Sequence, residues 1–549
     1  MEGTIRCSAN YVPLTPISFL ERAAVAFGPR TSVVYGDIQY TWRQTRDRCV
    51  RLASALSDLG LSRHDVVAAL APNVPALCEL YFGAPMAGSV LCVLNTTFNS
   101  QMLAMALEKT KPKVFFVDSE FLSVAEESLS LLSNIEEQPL IITITENQTE
   151  KSKYEEYEDF LSSGNPNFIP LRPVDECDPI ALNFTSGTTS TPKCVVYSHR
   201  GAYLNATATG VMNEMKPMPV YLWTVPMYHC SGWSSVWTVA AFGGVNVCLR
   251  EVNDRVIFDS IVKHKVTNFG GSPPVLNMIA NAPDSVKKSF PWTVQVMSGG
   301  SSPPEVMLRL KKLGFKVMMA YGCTEVYGLG TACLWMPEWE NLPEEESSRL
   351  KARDGLNHFA KEAVDVLDPT TMKSVPHDGK TIGVIILRGN TVMSGYFKDK
   401  EATEAAFRGG WFWSRDMGVI DPDGYIQYKD RSQDVITCGG EIMGSKEIEG
   451  ILYSHPAVYD AAVVGRPDEA LGESMCAFVK LIEGAEAKEE EIIEFCERKI
   501  GIKNMKMVPK TVVFSDVPKI HTGKIRKNVL REMAKNMGYV PVKVVEQMK

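Results

Sequence analysis

The chain lacks most of what would mark a secreted, membrane-spanning or nucleic-acid-binding protein. Its 13 cysteines are scattered: the closest two in sequence are Cys323 and Cys333, and no CxxC occurs. Zinc-ligand spacing and a redox dithiol are therefore unsupported, and free thiols in a reducing compartment are expected. No apolar segment follows the opening MEGTIRCSANYVPLTP, which argues against a secretory signal. Without one, the sequon Asn183-Phe-Thr185 reads as a chance match. The most apolar stretch, Ala68 to Leu94, is interrupted by Glu79 and by Pro72, Pro75 and Pro85. It reads as strand, helix, strand inside a globular core, not as a membrane span. Cations are in deficit, with 57 Lys plus Arg against 65 Asp plus Glu and a net charge of −8. The chain as a whole is poorly suited to nucleic acid. No fixed-period repeat is visible.

What is present is ordinary globular material: 45% hydrophobic and 22% charged over 549 residues. At roughly 100–200 residues per domain, that length suggests three to five structural units. Short β-rich runs alternate with helical stretches. Val66–Leu70, Val90–Leu94, Val114–Val117, Leu140–Ile144, Ile180–Phe184 and Val317–Ala320 read as strands, and Pro75–Ala87 as a helix. This alternation predicts an α/β fold with mostly parallel sheets. Thr145 to Asn167 is polar and reads as a solvated connector, and the charged stretch Pro337 to Asp354 as a surface excursion. Pro422-Asp-Gly-Tyr425 reads as a turn between two short strands. The clearest boundary falls near Lys429 to Asp434, dividing residues 1–432 from a self-contained unit, 433–549. In that unit Glu447–Leu452 and Glu489–Ile500 are expected to be helical, and Ala461–Val464 and Ala477–Leu481 to be strands.

The strongest local signal is Thr185-Ser186-Gly187-Thr188-Thr189-Ser190-Thr191-Pro192-Lys193, which leaves an expected strand. Hydroxyls, one glycine and one lysine suit contact with a polyanion: glycine admits the backbone, hydroxyls donate, and the lysine supplies a point charge. A nucleoside-triphosphatase P-loop shares the Gly187-to-Lys193 offset. However, Pro192 replaces its second glycine and Cys194 stands where a magnesium-binding Ser or Thr is needed. A surface loop rich in hydroxyls is the competing reading. Downstream, Tyr321-Gly322-Cys323-Thr324-Glu325 offers an aromatic ring, a hydroxyl and a carboxylate in one tight turn. Trp411-Phe-Trp-Ser-Arg-Asp416 offers a carboxylate for a ribose diol. Asp430-Arg431-Ser432-Gln433-Asp434 sits at the proposed boundary. Pro518-Lys-Ile-His-Thr-Gly-Lys524-Ile-Arg-Lys527 places four cations around one glycine, and in isolation reads as a solvated basic face.

Taken in this order, the segments resemble the adenylate-forming superfamily, which includes acyl-CoA synthetases, 4-coumarate–CoA ligases, luciferases and peptide-synthetase adenylation domains. The likeness runs from about Tyr11 to about Arg531. Pro226-Met-Tyr-His229, Met393-Ser-Gly-Tyr396 and Gly439-Gly-Glu441 add to it. A narrower likeness, to plant acyl-activating enzymes related to benzoate– and short- or medium-chain fatty acid–CoA ligases, rests on Tyr11-Val-Pro-Leu-Thr-Pro16, Tyr40-Thr-Trp-Arg-Gln44 and Tyr197-Ser-His-Arg-Gly-Ala-Tyr203.

The resemblance implies a large N-terminal domain of layered α/β sheets with a β-barrel-like subdomain, and a small, mobile α+β C-terminal domain. It also implies a two-step reaction. A carboxylate attacks the α-phosphorus of ATP to give acyl-AMP and pyrophosphate, and CoA then displaces AMP. By the same token Thr185–Lys193 would cradle phosphates, Thr324 would touch the α-phosphate and Glu325 would hold Mg²⁺. Gly299, Gly300, Ser301 and Tyr321, with Gly322, would surround adenine, and Asp416 with Arg431 would bind ribose. Lys524 would bridge carboxylate and α-phosphate. His229, Trp233, Gly270 and Gly271 would line the acyl pocket, where the glycines suggest room for a bulky acid. Gln433 would be the hinge, and Gly439 and Gly440 would reach the CoA tunnel, with Lys503, Lys506 and Lys510 as candidate contacts for CoA phosphates. The implied partners are ATP, CoA and an aromatic or short- to medium-chain carboxylic acid, acting on a monomer or homodimer without nucleic acid or a membrane span. The ending Glu546-Gln-Met-Lys549 is no peroxisomal SKL tripeptide, so cytosol is expected. Cys194, Arg415 and Gln433 depart from the family pattern. They leave two alternatives open: a non-catalytic nucleotide- or acyl-binding regulator, or an adenylating enzyme with an acceptor other than CoA.

Overall fold

The computed structural model describes residues 3–132, 138–146, 153–185, 192–300, 304–519 and 525–541. Among these the chain forms four sheets. The first has eight strands in the order Gly395–Tyr396, Cys194–Ser198, Pro179–Phe184, Val90–Val93, Val66–Leu70, Val114–Asp118, Leu140–Ile144 and Glu155–Glu156. From Pro179–Phe184 onward its neighbours pair in parallel. Val66–Leu70 and Val114–Asp118 are buried at every position, as apolar strands covered on both faces must be. The expected helix forms over Pro75–Met86, with every residue buried and a proline in its first turn, where the missing N–H costs nothing. Tyr40-Thr-Trp-Arg-Gln44 turns out to be a helix start: Thr41 and Gln44 form a reciprocal capping box ahead of Trp42–Asp58.

The second sheet has nine strands. At its centre Val220–Leu222, Asn268–Gly270, Val294–Gly299 and Phe315–Tyr321 lie side by side in parallel. The third sheet is antiparallel, built from Ala363–Leu367, Gly383–Arg388, Trp411–Ile420, Phe407–Arg408 and Ile426–Arg431, in the place of the expected barrel-like subdomain. The fourth belongs to the C-terminal stretch: Val458–Asp468 and Gly472–Leu481 form a long hairpin, with Ile436–Cys438, Glu441–Met443 and Thr511–Phe514 beside it. Helices Lys446–Tyr453, Glu489–Ile500 and Lys527–Asn536 accompany this sheet. No described helix is long and apolar enough to cross a membrane.

Two sequence expectations are corrected. The described part of the Thr145–Asn167 stretch is not a solvated connector. Glu155–Glu156 joins the first sheet, and Tyr157–Ser163 is a helix that buries Tyr157, Phe160 and Leu161. The acidic run hid this spacing of apolar residues at i, i+3 and i+4. Its charges have partners: Glu158 pairs with Arg48 at 2.6 Å, and Arg48 also holds the fully buried Glu79 at 2.6 Å. Nor is Pro337–Asp354 a mere surface excursion. It contains the helix Glu344–Lys351, buries Trp339, and carries Arg353, which pairs with Asp421 and Asp423 at 3.0 and 2.9 Å and covers the Tyr425 ring.

Candidate active site

A cavity of about 940 Å³ opens where the four central strands of the nine-stranded sheet end. Register puts their carboxyl ends together: Gly270 is opposite Met297, and Gly299 opposite Ala320. Each strand then releases a turn into the cavity. Val220–Leu222 leads to Thr224 through Cys230, Asn268–Gly270 to Gly271, Val294–Gly299 to Gly300, and Phe315–Tyr321 to Gly322 through Glu325. Ligands in α/β folds characteristically bind at such strand ends.

Thr185 and Lys193 also line the cavity and close on each other. The Thr185 N–H donates to the Lys193 carbonyl at 2.9 Å, and the Lys193 N–H to the Thr185 hydroxyl at 3.0 Å. They end two antiparallel strands, with Phe184 opposite Cys194. A nucleoside-triphosphatase P-loop instead leads from strand into helix, so the topology excludes that reading. Ser186, Gly187, Thr188 and Thr189 lie outside the described residues, as does Ser301. Cys194 is fully buried, and burial pushes its thiol up to about 12. This departure is therefore a core residue. Asn183, the sequon residue, is also buried and donates to the Tyr228 carbonyl at 2.8 Å.

The groups expected to meet the nucleotide are held by one another. The Tyr321 hydroxyl donates to Asp416 at 2.8 Å, and the Tyr321 ring stacks on Tyr428 with centroids 5.9 Å apart. Burial, with Asp416 beside it, raises the Tyr321 hydroxyl well above the usual phenol range, so it stays a donor. Asp416 is paired by ladder register with Arg431, whose Nε lies 3.9 Å from its Oδ1. Thr324 and Glu325 occupy a single 3₁₀ turn. The Tyr396 hydroxyl donates to Glu325 at 2.8 Å, and Lys193 Nζ stands 4.7 Å over the Tyr396 ring. Gly299 has open space where a Cβ would stand, so a side chain would protrude there. At Gly322 a Cβ would lie 2.2 Å from the Gly328 carbonyl oxygen, which enforces glycine. Arg415, next to Asp416, has φ +63° on an exposed, cavity-lining residue. That left-handed conformation costs an L-residue other than glycine ~1–2 kcal/mol.

Of the residues expected to line the acyl pocket, His229 lines the cavity directly before the helix Cys230–Phe242, with its Nδ1 3.7 Å from the Cys230 sulfur. Burial raises the Cys230 thiol, but His229 and the Thr324 hydroxyl outweigh it, and the net shift is downward. The Trp233 side chain lies outside what is described. Gly270 and Gly271 line the cavity, yet their role differs from the one expected. A Cβ on Gly270 would come within 3.0 Å of Val225, and one on Gly271 within 2.7 Å of Leu276. These glycines allow tight packing of the wall; they do not leave spare room for the acyl group.

The C-terminal stretch completes the cavity through Ser445, Lys446, Glu449, Lys519, Ile525 and Lys527, with Gln433 at the crossing point. Lys524 lies outside the described residues. Its neighbour Ile525 lines the cavity and is bridged to Lys519. At the junction, Ser445 donates to Asp430 through its N–H and hydroxyl, at 3.1 and 2.6 Å. Lys527 pairs with Asp430 at 3.3 Å and with Glu449 at 3.0 Å. Gly439 and Gly440 do not line the cavity. They form the turn between Ile436–Cys438 and Glu441–Met443, with φ +57° and +78°, the geometry that a two-residue hairpin demands of glycine. Lys506 and Lys510 are each engaged by a carboxylate, Glu441 at 2.5 Å and Asp468 at 2.9 Å, which weakens them as phosphate contacts. The Lys503 side chain is not described. Sequence reasoning gave no individual role to Tyr396, Tyr428, Cys230 or Asp430, because none belongs to a motif whose chemistry is readable without its spatial neighbour.

Comparison with known proteins agrees with this geometry. The family model described as AMP-binding enzyme matches residues 20–397, and the one described as AMP-binding enzyme C-terminal domain matches 447–524. The chain is 91% identical over 546 residues to probable acyl-activating enzyme 21 of Arabidopsis thaliana, covering 100% of each. It is 46% identical over 552 residues to the peroxisomal acetate/butyrate–CoA ligase AAE7 of the same plant, covering 97% of this chain and 96% of the relative. Among solved structures, the anthranilate CoA ligase AuaEII in complex with anthranoyl-AMP superposes with a TM-score of 0.82 at 22% identity, covering 97% of this chain and 99% of that one. At that identity the superposition speaks for the fold. Together with the strand-end cavity and its ordered residues, the matches establish that this chain belongs to the AMP-binding enzyme family.

Proposed function

We propose that the protein is an AMP-forming, ATP-dependent carboxylate–CoA ligase acting on an aromatic or short- to medium-chain acid. The supporting observation is that one cavity gathers Thr185, Lys193, Tyr321, Thr324, Glu325, Asp416, Arg431 and His229, with the C-terminal stretch against it. Tyr321 and Gly299 flank adenine, and Asp416 and Arg431 take the ribose hydroxyls. Lys193 and Thr324 receive phosphate oxygens. Lys524 draws the substrate carboxylate and the α-phosphate together, and the carboxylate oxygen attacks phosphorus as pyrophosphate leaves. The thiolate of CoA then adds to the acyl carbon, releasing AMP and leaving a thioester. Cations placed beforehand against two repelling anions are what such a step needs, since they act without reorganising.

Mg²⁺ suits this site as a companion of the phosphates. Glu325 offers one carboxylate oriented by Tyr396, and no cluster of three His, Cys, Asp or Glu able to hold a metal occurs among the described residues. Such a donor set matches an ion that keeps several waters and arrives with phosphate. Glu325 would hold it, and it would neutralise charge on the phosphates. The chain turns at Gln433 between the two half-reactions, which withdraws Lys524 and presents Gly439 and Gly440 to CoA. The cytosol suits its free thiols.

The test is direct. Purified protein is incubated with ATP, Mg²⁺, CoA and a panel of carboxylic acids, and AMP, pyrophosphate and acyl-CoA are measured. At least one acid is expected to yield all three in equal amounts. Release of AMP and acyl-AMP without acyl-CoA for every acid would contradict the CoA acceptor, and no acid-dependent AMP at all would contradict the ligase reading.

A further inference from the structure

We propose that Arg415 is a phosphate-binding residue peculiar to this site, one that holds the β- and γ-phosphates of ATP. The inference rests on the ligase reading above. Arg415 sits in a bulge of the strand Trp411–Ile420, where register shifts between Val384 opposite Met417 and Ile386 opposite Trp413. Bulges beside active sites re-aim side chains. Here the backbone is fixed from both sides: the Ser414 hydroxyl donates to the Ile385 carbonyl at 2.6 Å, and the Ser432 N–H donates to the Arg415 carbonyl at 2.9 Å. The φ of +63° at Arg415 is one that glycine adopts freely and arginine does not. A strained residue other than glycine in a cavity wall points to a role for its side chain.

The surroundings indicate the ligand. Among the described residues the Arg415 guanidinium has no hydrogen bond or ion pair, while its neighbour Asp416 is already engaged by Tyr321 and Arg431. Burial and Glu325 push the Tyr396 hydroxyl up, and the charge of Arg415 pulls against them. Lys193 lies over the other part of the same residue, its ring. Two cations, Lys193 and Arg415, line the same cavity as Tyr396 and the carboxylate of Glu325. An arginine without a partner among the described residues, in one cavity with a lysine, suits a polyanion, and a guanidinium fork suits phosphate oxygens. The ribose and α-phosphate have their own partners in Asp416 and Thr324, so the charge of Arg415 is left for the outer phosphates.

The experiment compares the full-length protein with Arg415→Gly and Arg415→Lys, titrating each with ATP plus Mg²⁺ and with AMP by calorimetry. Arg415→Gly is expected to weaken ATP about tenfold while AMP stays within about twofold, and Arg415→Lys to fall between. Arg415→Gly should melt at the same or a higher temperature, because it relieves the strained φ, so loss of ATP cannot be ascribed to misfolding. Unchanged ATP binding in Arg415→Gly, or equal loss of ATP and AMP, would overturn the inference while leaving the ligase reading in place. A parent protein that binds neither nucleotide would overturn both.

Discussion

Two buried charge clusters in this molecule are alike in chemistry and differ in surroundings. In the N-terminal body, Glu79 is fully buried between Arg48 and the Tyr157 hydroxyl. Around it lies a continuous apolar cluster that includes Leu80, Tyr81, Phe116, Tyr157 and Phe160. At the junction, Asp430 is nearly as buried, between Ser445 and Lys527. Yet the apolar clusters of the C-terminal stretch contain described residues only from Ile436 onward. Opening the first site exposes apolar area at roughly 25 cal/mol per Å². Opening the second mainly returns charges to water, which offsets what the ion pairs lose. Among the described residues Val435 packs on the body's Trp413 and Met417 cluster, and the Asp430, Ser445 and Lys527 contacts of the joint are polar, which suits two parts that separate and meet again.

That contrast is open to attack. Arg48→Ala strands Glu79 inside the apolar cluster and should destabilise the body by about 3–5 kcal/mol, measured by denaturant unfolding. A loss under about 1 kcal/mol would show that the site is as easily hydrated as the junction. His199 tests the body by pH. It is buried, its Nδ1 lies 2.8 Å from the Thr15 hydroxyl, and burial pushes its pKa down to about 4 from 6.5. A depressed pKa means that the unfolded chain binds the proton first. This stability is complete above pH 6.5 and is lost as pH falls toward 4, amounting to ~3 kcal/mol. The difference in unfolding free energy between parent and His199→Gln should shrink across that window and stay flat above it. The smallest folding effect belongs to Lys527→Ala. The junction can open and hydrate Asp430 and Glu449, so global stability should fall by about 1 kcal/mol or less, while proteolysis between residues 429 and 434 quickens several-fold. Cooperative loss of 3 kcal/mol or more would instead make the junction a permanent core.

Much of this was legible in the sequence, for identifiable reasons. Val66–Leu70 and Glu489–Ile500 form over the very residues expected, because apolar runs and helical periodicity act locally. Thr185, Tyr321, Asp416 and Arg431, grouped in the sequence by the resemblance that their order carries, line one cavity; three of them follow or end a strand, and Asp416 lies inside one. What escaped was whatever depends on a distant partner. Tyr157 looked solvated inside an acidic run until Glu79, 78 residues earlier, accepted its hydroxyl. Gly270 and Gly271 looked like spare volume until Val225 and Leu276 filled it. Cys194 looked like a defect in a phosphate loop until antiparallel pairing turned it into the core. Tyr396 carries no recognisable chemistry alone and acquires it only against Glu325 and Lys193.

In the proposed reaction the C-terminal unit brings the Lys524 ammonium to a nucleotide held by the body. Acid-dependent exchange of pyrophosphate into ATP measures that half-reaction alone, in parent and Lys524→Ala side by side, with ATP binding determined on both. Lys524→Ala is expected to lose ~10²–10³ in exchange rate with ATP affinity kept within a few-fold. Exchange by Lys524→Ala at the parental rate would contradict it.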